Sequence, residues 1–311
     1  MKNKWFIWVA KLIAFMLLFF AIDRCVGYGV RFLIKQSVQK SPTSDKLRWI
    51  LKGTEADVIL IGASETEHSY ISKVLMDSLN ATVYNCGLDG RFLPSQTIIV
   101  NSIIDRYSPK LILWSVSPRF LTPDPGDNDR LSTFKPYYRE NKRCREMLNK
   151  RSWSEPIKML SYCYTYNSDL LGYLASAFKT QKTDDNYGYE PVPPAQVLPK
   201  YDEKEWENQP DSSYFSLFEK TVSRIKENNS HCIFILTPHY SYGDYQGLKG
   251  YYLLNKIIKD NGFVLVEDYF HHPNLMKDKY FVDRAHLNNE GALTFSRMLG
   301  HDLKLANVVN K

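Results

Sequence analysis

None of the five cysteines forms a C-x-x-C pair, and none stands at a Cys/His spacing that suits zinc, which argues against a cysteine-based metal site. The 311-residue chain also lacks a basic arm. Its lysines and arginines are spread along its length, the formal charge is only +6 and no nucleic-acid motif appears, so nucleic acid is not an expected partner. No internal repeat is evident. No phosphate-cradling glycine loop follows the first predicted strand, which weakens a nucleotide-binding reading. With 44% hydrophobic, 24% charged and 14% aromatic residues, the chain is not disordered and can bury one large core or two modest ones.

Long apolar runs are equally scarce, with one exception. Residues 5–22 are apolar apart from Lys11, and Asp23 and Arg24 close the run. Both faces are apolar, which disfavours a buried soluble helix. Lys2 and Lys4 precede it, so the positive-inside rule puts the N-terminus in the cytoplasm and the rest of the chain outside. A cleaved signal peptide is the rival reading. The small residues that would offer a cleavage site, Gly27 and Gly29, follow charged Asp23 and Arg24, which favours an uncleaved anchor over residues 1–28. Residues 29–56 turn polar and read as a helical stalk broken by Ser41-Pro42-Thr43-Ser44.

From Asp57 the pattern becomes strand, loop, helix, repeated. Strands are expected at residues 58–61, 81–85, 111–116, 233–236 and 263–266, with helices near 215–226 and 253–259 and a last one opening at Asp283. This alternation implies an open α/β sheet with helices on both faces and sites beyond the strands' carboxyl ends. Residues 120–213 interrupt it as a tyrosine-rich insertion, so the expected division is 1–28, 29–56 and 57–311. Cys86 and Cys232 fall on predicted strands and read as small buried apolar residues. Cys144 and Cys163 share the insertion, and an oxidising compartment would permit a disulfide between them.

Three features carry chemistry. Ser64 ends Gly62-Ala63-Ser64, where small residues allow a tight turn that leaves a hydroxyl at the sheet's carboxyl edge, although serine is equally common as a helix cap there. Asn85-Cys86-Gly87 is a turn after the second strand whose N–H groups could face a developing oxyanion. Asp283-Arg284-Ala285-His286 places a carboxylate three residues before a histidine, so the acid can orient the ring as a general base. Each signal alone is weak. Their order along the chain, nucleophile first, glycine turn second and base last, makes them a set.

That set resembles the SGNH/GDSL hydrolase superfamily over roughly residues 57–303, with the insertion excepted. Gly62-Ala63-Ser64 is similar to its first block, Gly87 to the glycine of its second and Asp283 through His286 to its last. The resemblance implies a flavodoxin-like three-layer α/β/α sandwich with a parallel sheet and an acyl-ester reaction. In that reaction Ser64 is the nucleophile, His286 the base, Asp283 its orienter, and the N–H groups of Ser64 and Gly87 hold the oxyanion. The family's third block, Gly-x-Asn-Asp, has no counterpart, the chain reading Trp114-Ser115-Val116-Ser117-Pro118-Arg119 instead. Membrane-anchored proteins of D-alanyl-lipoteichoic acid biosynthesis and exopolysaccharide acetylation are similar in lacking that asparagine.

The expectation is therefore a membrane-tethered esterase or O-acyltransferase of a cell-envelope polysaccharide, needing no cofactor or metal and working beside a membrane acyltransferase. The competing expectation is a non-catalytic glycan-binding or assembly component of the same fold. Glu67, His68, Arg119 and His239 are candidate substrate contacts. His271, His272, Asp244 and Asp268 lie where a metal site is conceivable, but nothing in the spacing fixes its geometry.

Overall fold

The computed structural model describes residues 2–38, 46–167, 184–194, 209–240 and 245–309. The helices are, in chain order, α1 (Lys2–Val38), α2 (Lys46–Lys52), α3 (Ser64–Ser69), α4 (Ser72–Leu79), α5 (Leu93–Ile104), α6 (Asp127–Arg130) and α7 (Lys142–Asn149). They continue with α8 (Glu155–Lys158), α9 (Tyr162–Tyr166), α10 (Ser212–Glu227), α11 (Lys249–Asp260) and α12 (Asn289–Leu305). The strands are β1 (Val58–Ile61), β2 (Val83–Asn85), β3 (Leu111–Val116), β4 (His231–Leu236) and β5 (Val264–Val266). The chain divides into two compact units, Met1–Asp45 with Leu131–Thr183, and Lys46–Arg130 with Asp184–Lys311.

The larger unit holds one five-stranded sheet in the order β2-β1-β3-β4-β5, parallel throughout. This is the doubly wound order in which the chain reverses its winding between β1 and β3, opening a crevice at their carboxyl ends. Val58, Ile59, Leu60 and Ile61 are all fully buried, as a central strand covered on both faces requires. Alternate side chains serve opposite layers. Val58, Leu60, Leu111 and Leu113 join Leu75, Phe295 and Leu299 of α4 and α12 in one cluster. On the other face Trp114 stacks on Phe234 with ring centroids 5.6 Å apart and meets Phe218 of α10 edge-on. Its indole Nε1–H donates to Gln96 Oε1 at 2.7 Å.

Helix starts follow their capping residues. Asp211 accepts from the N–H groups of Ser213 and Tyr214, and Asn288 from those of Glu290 and Gly291, so α10 and α12 begin where a short polar side chain satisfies orphan donors. The expected strands are all present, with β2 and β5 shortened at their amino ends and β4 extended by two residues. The last helix starts at Asn289 and not at Asp283, because Asn288 takes the cap and leaves residues 283–286 on a loop.

In the smaller unit, α1 continues without interruption to Val38, through residues expected to begin a stalk. The expected break at Ser41 to Ser44 and the insertion's residues 168–183 and 195–208 lie outside the described residues. Asp23 fastens the helix to the following segment, accepting from Ser161 Oγ at 2.6 Å and from the N–H groups of Tyr162 and Cys163 at 2.9 Å. Cys144 is buried on α7 and Cys163 is exposed on α9. Both are free thiols, so the disulfide that an oxidising compartment would permit is not formed: one sulfur lies within packing and the other at the surface.

Trp114 fixes the sheet's second layer by both ring packing and a buried hydrogen bond. Trp114→Ala is expected to lower unfolding stability by about 3–5 kcal/mol, as large-to-small aromatic replacements in cores do. Trp114→Phe should cost less, chiefly the stranded Gln96 acceptor at about 1–3 kcal/mol. Denaturant unfolding of the full chain in detergent measures both.

Candidate active site

Ser64 is the first residue of α3, immediately beyond the carboxyl end of β1. The turn is tight because Thr66 folds back to donate to the Ile61 carbonyl at 3.3 Å. A Cβ at Gly62 would lie 1.8 Å from Thr66 Oγ1, so only glycine fits. Leading the helix, the Ser64 N–H has no intrahelical acceptor.

His286 arrives from the loop before α12, where an antiparallel bridge between Phe281 and Leu287 closes the loop's base. Asp283 Oδ1 accepts from the N–H groups of Ala285 at 2.8 Å and His286 at 2.9 Å, so the acid folds its own loop. The His286 ring Nδ1 lies 2.7 Å from Asp283 Oδ2, and Nε2 lies 2.7 Å from Ser64 Oγ. A carboxylate can only accept, so Nδ1 carries the proton and Nε2 accepts from the Ser64 hydroxyl. These three side chains, 222 positions apart at their extremes, thus form one hydrogen-bonded line.

Burial lowers the His286 pKa, but the hydrogen bond and charge of Asp283, with the nearby Glu65, outweigh it and hold the ring above its ordinary value of 6.5. Asp283 moves the other way. Burial raises it, and the bonds from His286 and the two loop N–H groups bring it net below 3.8.

Beside this line a cleft of about 420 Å³, open mouth included, lies beyond the carboxyl ends of β1, β3 and β4. Phe92, Val116, Phe120 and Phe270 make its apolar walls, and Gln96, Ser115, Ser117 and Thr237 its polar ones. His239 lines it and stacks on Phe270 at 5.6 Å, where desolvation lowers its pKa to about 4, so it faces the cleft as a neutral ring. Ser115, from the stretch that stands in place of the third block, has its hydroxyl 2.6 Å from Thr237 Oγ1, which also meets the Tyr70 hydroxyl at 2.7 Å. These three hydroxyls form a chain that runs from the cleft wall inward.

Glu65 went unnoticed in the sequence because it is one acid among many. It follows Ser64 directly and lines the cleft. Its residue keeps some exposed surface while its carboxyl is desolvated, and that desolvation raises the pKa above 4.5. The tight turn at Gly62 brings the start of α3 to the cleft, and Glu65 with it.

Other expected site residues stand elsewhere. Gly87 does not offer a free donor: its N–H donates to Asn85 Oδ1 at 2.9 Å. The glycine is required because a Cβ there would come 2.5 Å from the Glu67 backbone nitrogen. Asn85 Nδ2 in turn donates to the carbonyls of Thr66 at 2.7 Å and Tyr70 at 3.0 Å, so one fully buried amide ties the turn after β2 to α3. Glu67 is buried and used up, with Oε1 on Lys46 Nζ and Oε2 accepting from the Asp89 N–H, both at 2.7 Å. Both of its carboxylate oxygens are thus engaged within the scaffold.

His68 bonds the Glu190 carbonyl at 2.7 Å and Asp89 Oδ1 at 2.9 Å, with its ring centroid 6.0 Å from that of His286. Glu67, His68 and Asp89 have ligand atoms close enough for a metal. The Lys46 ammonium already in contact with Glu67 opposes a second cation there. Arg119 is exposed and absent from the cleft lining, although Ser117 and Phe120 on either side of it line the cleft. Asp244 lies outside the described residues.

Two outcomes follow. Asn85→Ala strips partners from two carbonyls and one N–H, each stranded group costing about 1–3 kcal/mol, so unfolding should show a loss of about 3 kcal/mol or more. Asp283→Asn should lower the His286 titration midpoint, read from ring resonances by NMR. The stabilising pair exists above the depressed Asp283 pKa and fades as pH rises through the raised His286 pKa. The stability deficit of Asp283→Asn should therefore be greatest at mildly acidic pH and shrink toward alkaline pH.

No family model matches the sequence, and no curated protein matches it. Among solved structures, a family two carbohydrate esterase from Clostridium thermocellum, determined in complex with cellohexaose, superposes with a TM-score of 0.39 at 9% identity. The match covers 80% of this chain and 63% of the esterase chain, so it spans less than two thirds of that protein and assigns no family.

Proposed function

We propose that this chain is a membrane-tethered serine esterase or O-acyltransferase acting on acyl esters of a cell-envelope polysaccharide. The observation that carries the reading is the hydrogen-bonded line Ser64–His286–Asp283, which has the order and spacing of a nucleophile, its general base and that base's orienter. The cleft beside it supports the reading, being apolar enough to seat a short acyl group and polar enough to hold hydroxyls. The resemblance of the sequence blocks to SGNH hydrolases points the same way.

In the proposed reaction Ser64 Oγ attacks the ester carbonyl as its proton passes to His286 Nε2. Asp283 stabilises the imidazolium that forms. The tetrahedral oxyanion takes the Ser64 N–H, and its collapse releases the sugar hydroxyl with the proton that His286 returns. Water then completes hydrolysis, or a second hydroxyl completes transfer, through the same base. Because His286 must be neutral to accept, activity should climb with pH through its raised pKa.

The exposed apolar stretch of α1 supports the tether, since residues 5–22 bury nothing within the chain. Lys2 and Lys4 before it support a cytoplasmic N-terminus with the α/β unit outside. An envelope glycan as substrate, and a membrane acyltransferase as partner, fit that location.

A second reading, a non-catalytic glycan-binding component of an acylation system, is favoured by one observation. The Gly87 N–H is held by Asn85, and no third-block asparagine exists, so the oxyanion would have fewer donors than such sites usually present.

The two readings part on reactivity. Under the enzyme reading a fluorophosphonate labels the wild type and not Ser64→Ala, and turnover of an acetylated sugar ester falls at least about 10³-fold in Ser64→Ala and His286→Ala. Equal labelling of wild type and Ser64→Ala, or no labelling of either, sinks it in favour of the binding component.

A further inference from the structure

The segment around α8 is built inside out. α8 itself covers Glu155–Lys158, and backbone bonds from Glu155 N to the Ser152 carbonyl through Leu160 N to the Ile157 carbonyl add one turn at each end. On such a helix positions 153, 157 and 160 share one face. They carry Trp153, Ile157 and Leu160, which are 84%, 60% and 65% exposed. The opposite face buries Glu155, which is neutralised by Arg151 and Lys158 and accepts from the Tyr164 hydroxyl. A water-facing helix would show the reverse, acid outward and tryptophan inward.

What this face meets is indicated by where it is fastened. Arg24 donates to the Leu160 carbonyl at 2.9 Å, and Asp23 accepts from Ser161, so the end of this segment is pinned to the residues that close the apolar run of α1. The run's 18 residues, 5–22, span about 27 Å at 1.5 Å per residue, close to the roughly 30 Å hydrocarbon thickness of a bilayer. Asp23 and Arg24 therefore mark the depth at which hydrocarbon gives way to headgroups, and Leu160 lies level with them. Exposed Tyr28 of α1 lies about 6 Å beyond that depth, and the guanidinium of Arg24 lies over the Phe20 ring at 4.3 Å. Exposed Lys150 and Lys158 flank the apolar face, a charge that suits anionic headgroups.

We propose that the face formed by Trp153, Ile157 and Leu160 is a second membrane contact, seated in the headgroup region of an anionic bilayer beside the exit of α1. The inference rests on the anchor reading of α1 and adds to it. A single helix leaves the chain free to tilt and rotate about its exit point. A second, interfacial contact fixed to the helix end by Asp23 and Arg24 removes that freedom for the smaller unit.

The test uses the full chain in vesicles of phosphatidylethanolamine and phosphatidylglycerol, with lipid brominated either near the headgroup or near the chain ends. Trp153 is 84% exposed, so Trp153→Phe should fold normally, and the difference between wild type and this variant isolates its emission. The expected result is a blue-shifted Trp153 signal, quenched more by shallow than by deep bromine and shielded from aqueous iodide. If the chain resists carbonate extraction but iodide quenches Trp153 and neither bromolipid does, the second contact is overturned while the anchor stands. Carbonate release of the chain overturns both.

Discussion

The candidate site depends on β1 being paired in parallel on both sides. With β2 on one edge and β3 on the other, β1 cannot shift register without reversing every buried side chain, so its carboxyl end is a fixed point in the sheet. The winding reverses there, which leaves the crevice above β1 and β3 uncovered by a crossover. Ser64 stands three residues past the end of that strand and inherits its position. His286 sits instead on a loop closed by the bridge between Phe281 and Leu287. Its loop is shaped by Asp283 bonding two backbone N–H groups, so the acid that orients the ring also builds the loop that delivers it.

The same crowding that fixes Ser64 occupies an N–H that the proposed reaction could otherwise use. Asn85 bridges the turn after β2 to α3 through three hydrogen bonds, one of them from the Gly87 N–H. A donor committed to a buried amide is unavailable to a reaction intermediate unless the amide turns away. Holding α3 rigid and presenting that N–H are thus competing uses of one turn. Glu67 and His68 belong to the rigid side of the balance, tied to Lys46, Asp89 and Glu190, while Glu65 and His239 face the cleft.

Much of this was legible from residue order. Apolar runs marked β1 and most of β3 and β4, because strands covered on both faces have little polar side to show, while β2 and β5 were marked by short β-branched stretches between helical segments. Asp283 and His286 could be paired on sight, since three positions apart within a loop is close in any conformation. The roles of Gly87 and Glu67 could not be read that way. A glycine needed for close packing and one needed to expose an N–H look identical in sequence, and the difference lies in Asn85, whose side-chain direction depends on α3. Glu65 was missed for the complementary reason that an acid's place at the cleft is set by the turn at Gly62.

The apolar run of residues 5–22, the alternation of strand and helix, and the carboxylate–histidine spacing are properties of short stretches, and the sequence alone determined them. Whether Ser64 meets His286, whether Gly87 has a spare donor and which way Trp153 points depend on contacts between residues far apart in the chain. Those contacts are decided by packing, which local periodicity does not encode, and so only the tertiary structure could supply them.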